Sequence, residues 1–126
     1  MDALYGVSPG GERVECPGGT VLLAFLTSGC LDCGTFWEGL VPGWMGGGTP
    51  SAAIVTPDPS TESQPRVAQL APAGTPVVMC TDAWVKYGVI WAPWFILLRQ
   101  GRVVTQGHVA GWDDLEALLA GEAGSG

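Results

Sequence analysis

The sequence predicts an α/β protein, a three-layer α/β/α sandwich around a mixed central sheet with an N-terminal edge strand, and three observations predict it. Val21 to Leu26, Ala52 to Val55 and Pro76 to Cys80 are apolar runs without alternation, as strands covered on both faces require. The first run is followed by Phe36, Trp37, Leu40, Val41 and Trp44, spaced as one stripe of a helix that crosses over to a parallel neighbour. Near the C-terminus, Trp94 to Arg99 and Arg102 to His108 flank Gln100-Gly101, a two-residue connection of hairpin type that makes this pair antiparallel.

Taken in order, Asp2 to Gly11 reads as an extended lead-in punctuated by Ser8-Pro9-Gly10-Gly11. Glu12 to Cys16 alternates enough for a short edge strand, and Pro17-Gly18-Gly19 turns it into the first buried strand. Thr27, Ser28 and Gly29 stop that strand, and a helix follows from near Cys30 or Leu31. Gly46-Gly47-Gly48-Thr49-Pro50 breaks the chain before the second buried strand, Ser51 to Thr56, which Pro57 and Pro59 end. Pro65 suits a first helical position and starts a short helix to Ala71. Asp82 to Tyr87 makes one or two helical turns that Asp82 caps and Gly88 stops. After Gly111, Asp113 and Glu116 have capping-box spacing, Leu115, Leu118 and Leu119 form the buried stripe, and Gly121 closes the last helix, leaving 121–126 as a disordered tail. No repeat or linker divides the 126 residues, which read as one domain able to bury its own core.

Composition excludes several functions. With 47% hydrophobic and 13% charged residues the chain is globular, not disordered. A net charge of -7 with five Lys and Arg argues against nucleic acid and anionic membrane surfaces as partners. No apolar run is long enough to span a membrane, and the N-terminus lacks the basic and apolar regions of a signal peptide. The chain as given therefore reads as soluble, without membrane contact of its own. It is either cytosolic or separated from a targeting or anchoring segment.

The chemistry lies in Thr20 to Leu40, TVLLAFLTSGCLDCGTFWEGL, where the first buried strand delivers Cys30 and Cys33 spaced C-x-x-C. Cysteines at this spacing serve redox chemistry, a metal knuckle or a structural bridge. A knuckle normally takes a second Cys or His pair at matching spacing, and the chain has none. A helix start at Cys30 makes it the nucleophile, because free N–H groups and the helix dipole favour a thiolate there. Cys33, one turn along and more sheltered, then resolves the mixed disulfide. Asp32 places an acid between the thiols, which opposes ionisation of Cys30 and favours a reductase over a strong oxidant.

The strand-C-x-x-C-helix unit, the later KYGVIWAPWFILLRQGRVV and the closing helix resemble the thioredoxin superfamily over most of the chain. The segment from Pro76 to Leu119 and the leading edge strand look closest to the TlpA-like bacterial thiol-disulfide oxidoreductases. That resemblance implies a thioredoxin-like sandwich, an extracytoplasmic domain, reduction of protein disulfides and electrons supplied by an upstream dithiol protein, with no bound cofactor and no metal. It also implies a cis-proline at Pro93, with Ala92 offering its backbone to substrate and Trp91 and Trp94 lining an apolar groove. The family's buried Asp, six residues before the first cysteine, is here Ala24. Glu38 stands where many relatives have a helix-kinking proline, and it either relays protons or is a solvated surface acid.

Cys16 and Cys80 read most simply as small apolar residues, with a second bridge or a four-cysteine zinc site as alternatives. His108 reads as a partly exposed strand residue, and most of the six tryptophans as core. The resulting expectation is a thiol-disulfide oxidoreductase. The alternative is a non-enzymatic module of the same fold that holds a partner protein or a soft metal.

Overall fold

In a computed structural model, residues 4–44 and 51–125 are described, the last five of these by backbone alone. The glycine-rich break at 46–50 lies outside the described residues, as does Gly126 of the tail. Among the described residues seven strands form one sheet: β1 Tyr5–Val7, β2 Arg13–Glu15, β3 Val21–Phe25, β4 Ala52–Thr56, β5 Val77–Met79, β6 Trp94–Arg99 and β7 Arg102–His108. Their order is β2-β1-β5-β4-β3-β6-β7. The three apolar runs are β3, β4 and β5, parallel neighbours at the centre of the sheet, and nearly every side chain on them is buried. Antiparallel hairpins close both sides, β1–β2 against β5 and β6–β7 against β3.

Alternation along β3 sorts the core into two layers. Leu22 and Ala24 face α1 Gly34–Gly39, α2 Gln64–Leu70 and α4 Trp112–Ser125, whereas Leu23 and Phe25 face α3 Thr81–Tyr87. Among the described residues the sandwich is thus three helices, a mixed sheet and one helix. The hairpin at Gln100-Gly101 has positive φ at both residues, 52° and 79°, which matches the twist of the strands it joins.

Several boundaries differ from the sequence reading. The lead-in contains a strand, β1, so the N-terminal edge is a hairpin and β2 is its outer strand. Pro65 is the second helical residue, because Ser63 caps α2 by accepting from Arg66 N–H. Asp82 lies within the first turn of α3 and Cys80 is at the cap position, while Gly88 stops the helix in a left-handed conformation as its type suggests. α4 starts at Trp112, with Asp114, not Asp113, reaching back to the amide of Ala110 at 3.0 Å. Its backbone continues past Gly121 to Ser125. Among the tryptophans only Trp37 is fully buried; Trp44, Trp84, Trp94 and Trp112 are half-buried and Trp91 is exposed. His108 is exposed at the end of β7.

Gly6 is required by close approach. A Cβ there would lie 2.4 Å from the carbonyl oxygen of Met79 and 2.7 Å from Cys80 Cβ, and the first of these is backbone that cannot rotate away. Gly6→Ala is therefore expected to cost about 1–3 kcal/mol by forcing β1 off β5. Urea unfolding measures it, and an unchanged midpoint would refute this account of the edge.

Candidate active site

β3 runs out of its hydrogen bonds at Leu26, and the chain leaves the sheet through Thr27, Ser28 and Gly29 to reach Cys30. Two contacts hold this exit. The indole N–H of Trp37 donates to Thr27 O at 3.1 Å, and the Glu62 carboxylate accepts the Ser28 amide at 2.9 Å and the Ser28 hydroxyl.

The helix does not start at Cys30. Residues 30–34 form tight turns, with Cys33 N–H to Cys30 O and Gly34 N–H to Leu31 O both at 3.3 Å, and the first regular helical residue is Gly34, with Cys33 as its cap. The helical stripe of the sequence is correspondingly short: Phe36, Trp37 and Leu40 are buried, while Val41 and Trp44 lie beyond the end of α1 in a separate turn.

The two thiols sit in different surroundings. Cys30 is partly exposed and its Sγ–H donates to the carbonyl of Ala92 at 3.6 Å. Cys33 is fully buried, and burial first, then donation of its own thiol proton to Cys30, push its pKa far above the ordinary value. The Thr27 amide acts in the other direction, and the charges of Cys30 and Asp32 add smaller increments to the rise. Asp32 and Glu38 are both exposed, and Glu38 is not among the influences on Cys33.

A thiol that ionises harder when folded favours the fold below the unfolded value of about 8.5, and that contribution is lost as pH rises above it. The urea midpoint of the reduced protein should fall between about pH 7.5 and 9.5, and fall less in Cys33→Ala. Equal falls in the two proteins would contradict the burial argument.

Across from Cys30, the Ala92–Pro93 peptide bond is cis, Pro93 is buried, and its carbonyl accepts the Val109 amide at 3.1 Å. Trp91 and Leu31, the chain neighbours of Ala92 and Cys30, are 61% and 97% exposed. Cys30, Cys33, Asp32 and Ala92 therefore come together, with Pro93 and Trp91 next to Ala92 in the chain. Trp94 does not join them: it packs with the core layer on the α3 face and bonds Gln106 Oε1 at 3.2 Å. Ala24 is fully buried opposite Phe95, so no acid stands behind Cys33 at that position.

Cys16 and Cys80 are free thiols. Cys16 follows β2 and Cys80 follows β5, with β1 between them. Two interstrand gaps are roughly 10 Å, more than the 7 Å or so that a disulfide spans. The Cys80 thiol donates to Tyr5 O at 3.5 Å, and Cys16 is pushed up to about 11, by burial first and then by Cys80. No group of three or more metal-ligating side chains occurs among the described residues.

Sequence reasoning missed Glu62. Its partner, Ser28, is 34 residues away, and no local spacing pairs an acid in a proline-rich loop with a turn so distant.

A mixed sheet with this strand order, three helices on one face and one on the other, and a C-x-x-C turn at the end of its central strand is the thioredoxin fold. Solved structures agree. The exposed lipoprotein thioredoxin Etrx1 of Streptococcus pneumoniae superposes with a TM-score of 0.72 at 16% identity, covering 98% of this chain and 99% of that one. A putative thiol:disulfide interchange protein DsbE from Chlorobium tepidum gives 0.67 at 20% identity, covering 98% and 92%. A secreted Mycobacterium tuberculosis disulfide oxidoreductase homologous to E. coli DsbE gives 0.62 at 21% identity, covering 96% and 94%. No protein-family model matches the sequence, and no curated protein does.

Proposed function

We propose that this protein is a thiol-disulfide oxidoreductase that reduces disulfides in protein substrates. The observation that carries the reading is the contrast within the C-x-x-C turn: one thiol reachable from solvent against the Ala92 carbonyl, the other buried beside it. The Cys30 thiolate attacks one sulfur of a substrate disulfide, forming a mixed disulfide and expelling the other sulfur as a thiolate that takes up a proton. Cys33 then loses its proton and attacks Cys30 Sγ, releasing the second substrate thiol. Two electrons pass to the substrate and a Cys30–Cys33 bridge remains, which an upstream dithiol protein reduces.

Substrate binds as an extended segment along the Ala92 backbone, beside Trp91, in the manner of an added strand. We take the direction of transfer to be reduction. Asp32 brings negative charge to the turn, and the helix that would oppose it starts only at Gly34, a turn beyond Cys30. Thioredoxin-like potentials lie near about -270 mV and those of dedicated oxidants near about -120 mV. The extracytoplasmic character of the relatives that resemble this chain suggests the same compartment here. No helix among the described residues is long and apolar enough to cross a membrane.

The test is reduction of insulin with a dithiol as electron source. Turnover that depends on both Cys30 and Cys33 is expected, and a rate equal to that of the dithiol alone would refute the reading.

A further inference from the structure

We infer that Glu62 is a positioning residue for the nucleophile, holding the turn that aims Cys30 at a docked substrate; this rests on the oxidoreductase reading above. The exit from β3 has little of its own to fix it. Gly29 is exposed, with open space where a Cβ would stand, and from Thr27 to Cys30 the chain has left the ladder. Trp37 ties the first residue of this exit through the carbonyl of Thr27. Glu62 ties the second with both carboxylate oxygens, Oε2 on the Ser28 amide and Oε1 on the Ser28 hydroxyl. Charge-assisted pairs of this two-point kind fix orientation as well as distance.

Glu62 is itself anchored. The Ser63 amide donates to its Oε1 at 2.7 Å, its own amide donates to Asp58 O at 3.0 Å, and Asp58 N–H donates to Thr81 Oγ1 at 2.9 Å. The clasp therefore links the turn before Cys30 to the starts of α2 and α3. Burial, the largest influence, pushes the Glu62 carboxyl up, but the bonds from the Ser28 hydroxyl and amide and from Ser63 together outweigh it and leave it below the ordinary range. The carboxylate is thus charged at neutral pH and fully engaged.

The geometry separates two kinds of reaction at Cys30. A small alkylating reagent approaches the sulfur from any open side and tolerates a loose turn. A protein disulfide laid along Ala92 presents its sulfur from one direction, so the nucleophile must be held in line, and small misplacements are costly there.

Glu62→Ala should therefore lower kcat for insulin reduction about tenfold or more while changing the rate of Cys30 alkylation by iodoacetamide less than about twofold. Glu62→Gln keeps an acceptor for the Ser28 amide and turns an amide towards its hydroxyl, giving up only the bond from the Ser63 amide, and should restore at least half of the lost rate. Thermal unfolding establishes that both variants are folded. Full insulin activity in Glu62→Ala, or equal losses in Glu62→Ala and Glu62→Gln, would overturn the inference. Hydrogen exchange at the Ser28 amide needs no turnover: it should rise about tenfold or more in Glu62→Ala and stay near wild type in Glu62→Gln. An unchanged exchange rate in Glu62→Ala would overturn the inference, whereas a wild-type protein inactive on insulin would count against the oxidoreductase reading alone.

Discussion

Cys30→Ser is expected to abolish insulin reduction, and Cys33→Ser to leave the protein covalently joined to its substrate. Each result follows from where the thiols sit. Cys30 is partly exposed against the Ala92 carbonyl, so it is the sulfur that an incoming disulfide can meet. Cys33 is completely buried and its ionisation is opposed by burial and by the proton it shares with Cys30, so it cannot begin exchange with a partner outside the protein. It needs only the short reach to Cys30 to finish it. With serine at position 33 nothing displaces the substrate from Cys30, and an adduct accumulates that excess dithiothreitol removes. Electrophoresis without reductant and mass spectrometry of the adduct check the assignment. Adducts formed equally well through Cys33 in the Cys30→Ser protein would reverse the roles.

The second large effect is structural. Phe36→Ala is expected to cost about 3–5 kcal/mol, a large part of the 5–15 kcal/mol that holds a typical domain together. Phe36 is fully buried at the point where three elements meet. Its ring lies 4.9 Å from Phe95 on β6 and 4.8 Å from Trp112 on α4, edge-on to the first and tilted against the second. α1 is only six residues long and could not persist by propensity, so its place on the sheet depends on this packing. Loss of the ring leaves a cavity under the C-x-x-C turn, and activity should fall together with stability. Urea unfolding followed by tryptophan fluorescence measures the cost, and a loss below about 1 kcal/mol would show that the aromatic cluster is not what seats the helix.

Much of the architecture was legible because it is written in local pattern. β3, β4 and β5 are apolar without alternation because both faces are covered, and Gln100-Gly101 is a two-residue break between two strand patterns, with the glycine at one of its positive-φ positions. What was not legible depends on contacts distant in sequence. β1 is three residues around a glycine, and it is a strand because it pairs with β2 along its length and meets β5 at Val7. The late start of α1 reflects the tight turns closed by Cys30 O and Leu31 O, and residue spacing does not separate these from a first helical turn. Trp94 could have been placed from alternation alone, since Phe95 and Leu97 face the α1 side and their neighbours must face α3. Of the site, the sequence carried the cysteines and the proline. The contact of Ser28 with Glu62 joins two loops by folding and left no trace in spacing.

The central claim is that Cys30 and Cys33 form a reversible two-electron couple with a reducing potential. Equilibration in glutathione buffers, followed by acid trapping, alkylation and peptide mass spectrometry, tests it most directly. The expected result is one intramolecular bridge, Cys30 to Cys33, with Cys16 and Cys80 remaining alkylated thiols and a midpoint nearer about -270 mV than about -120 mV. Glutathione adducts without that bridge, or a midpoint more positive than about -180 mV, would contradict the account.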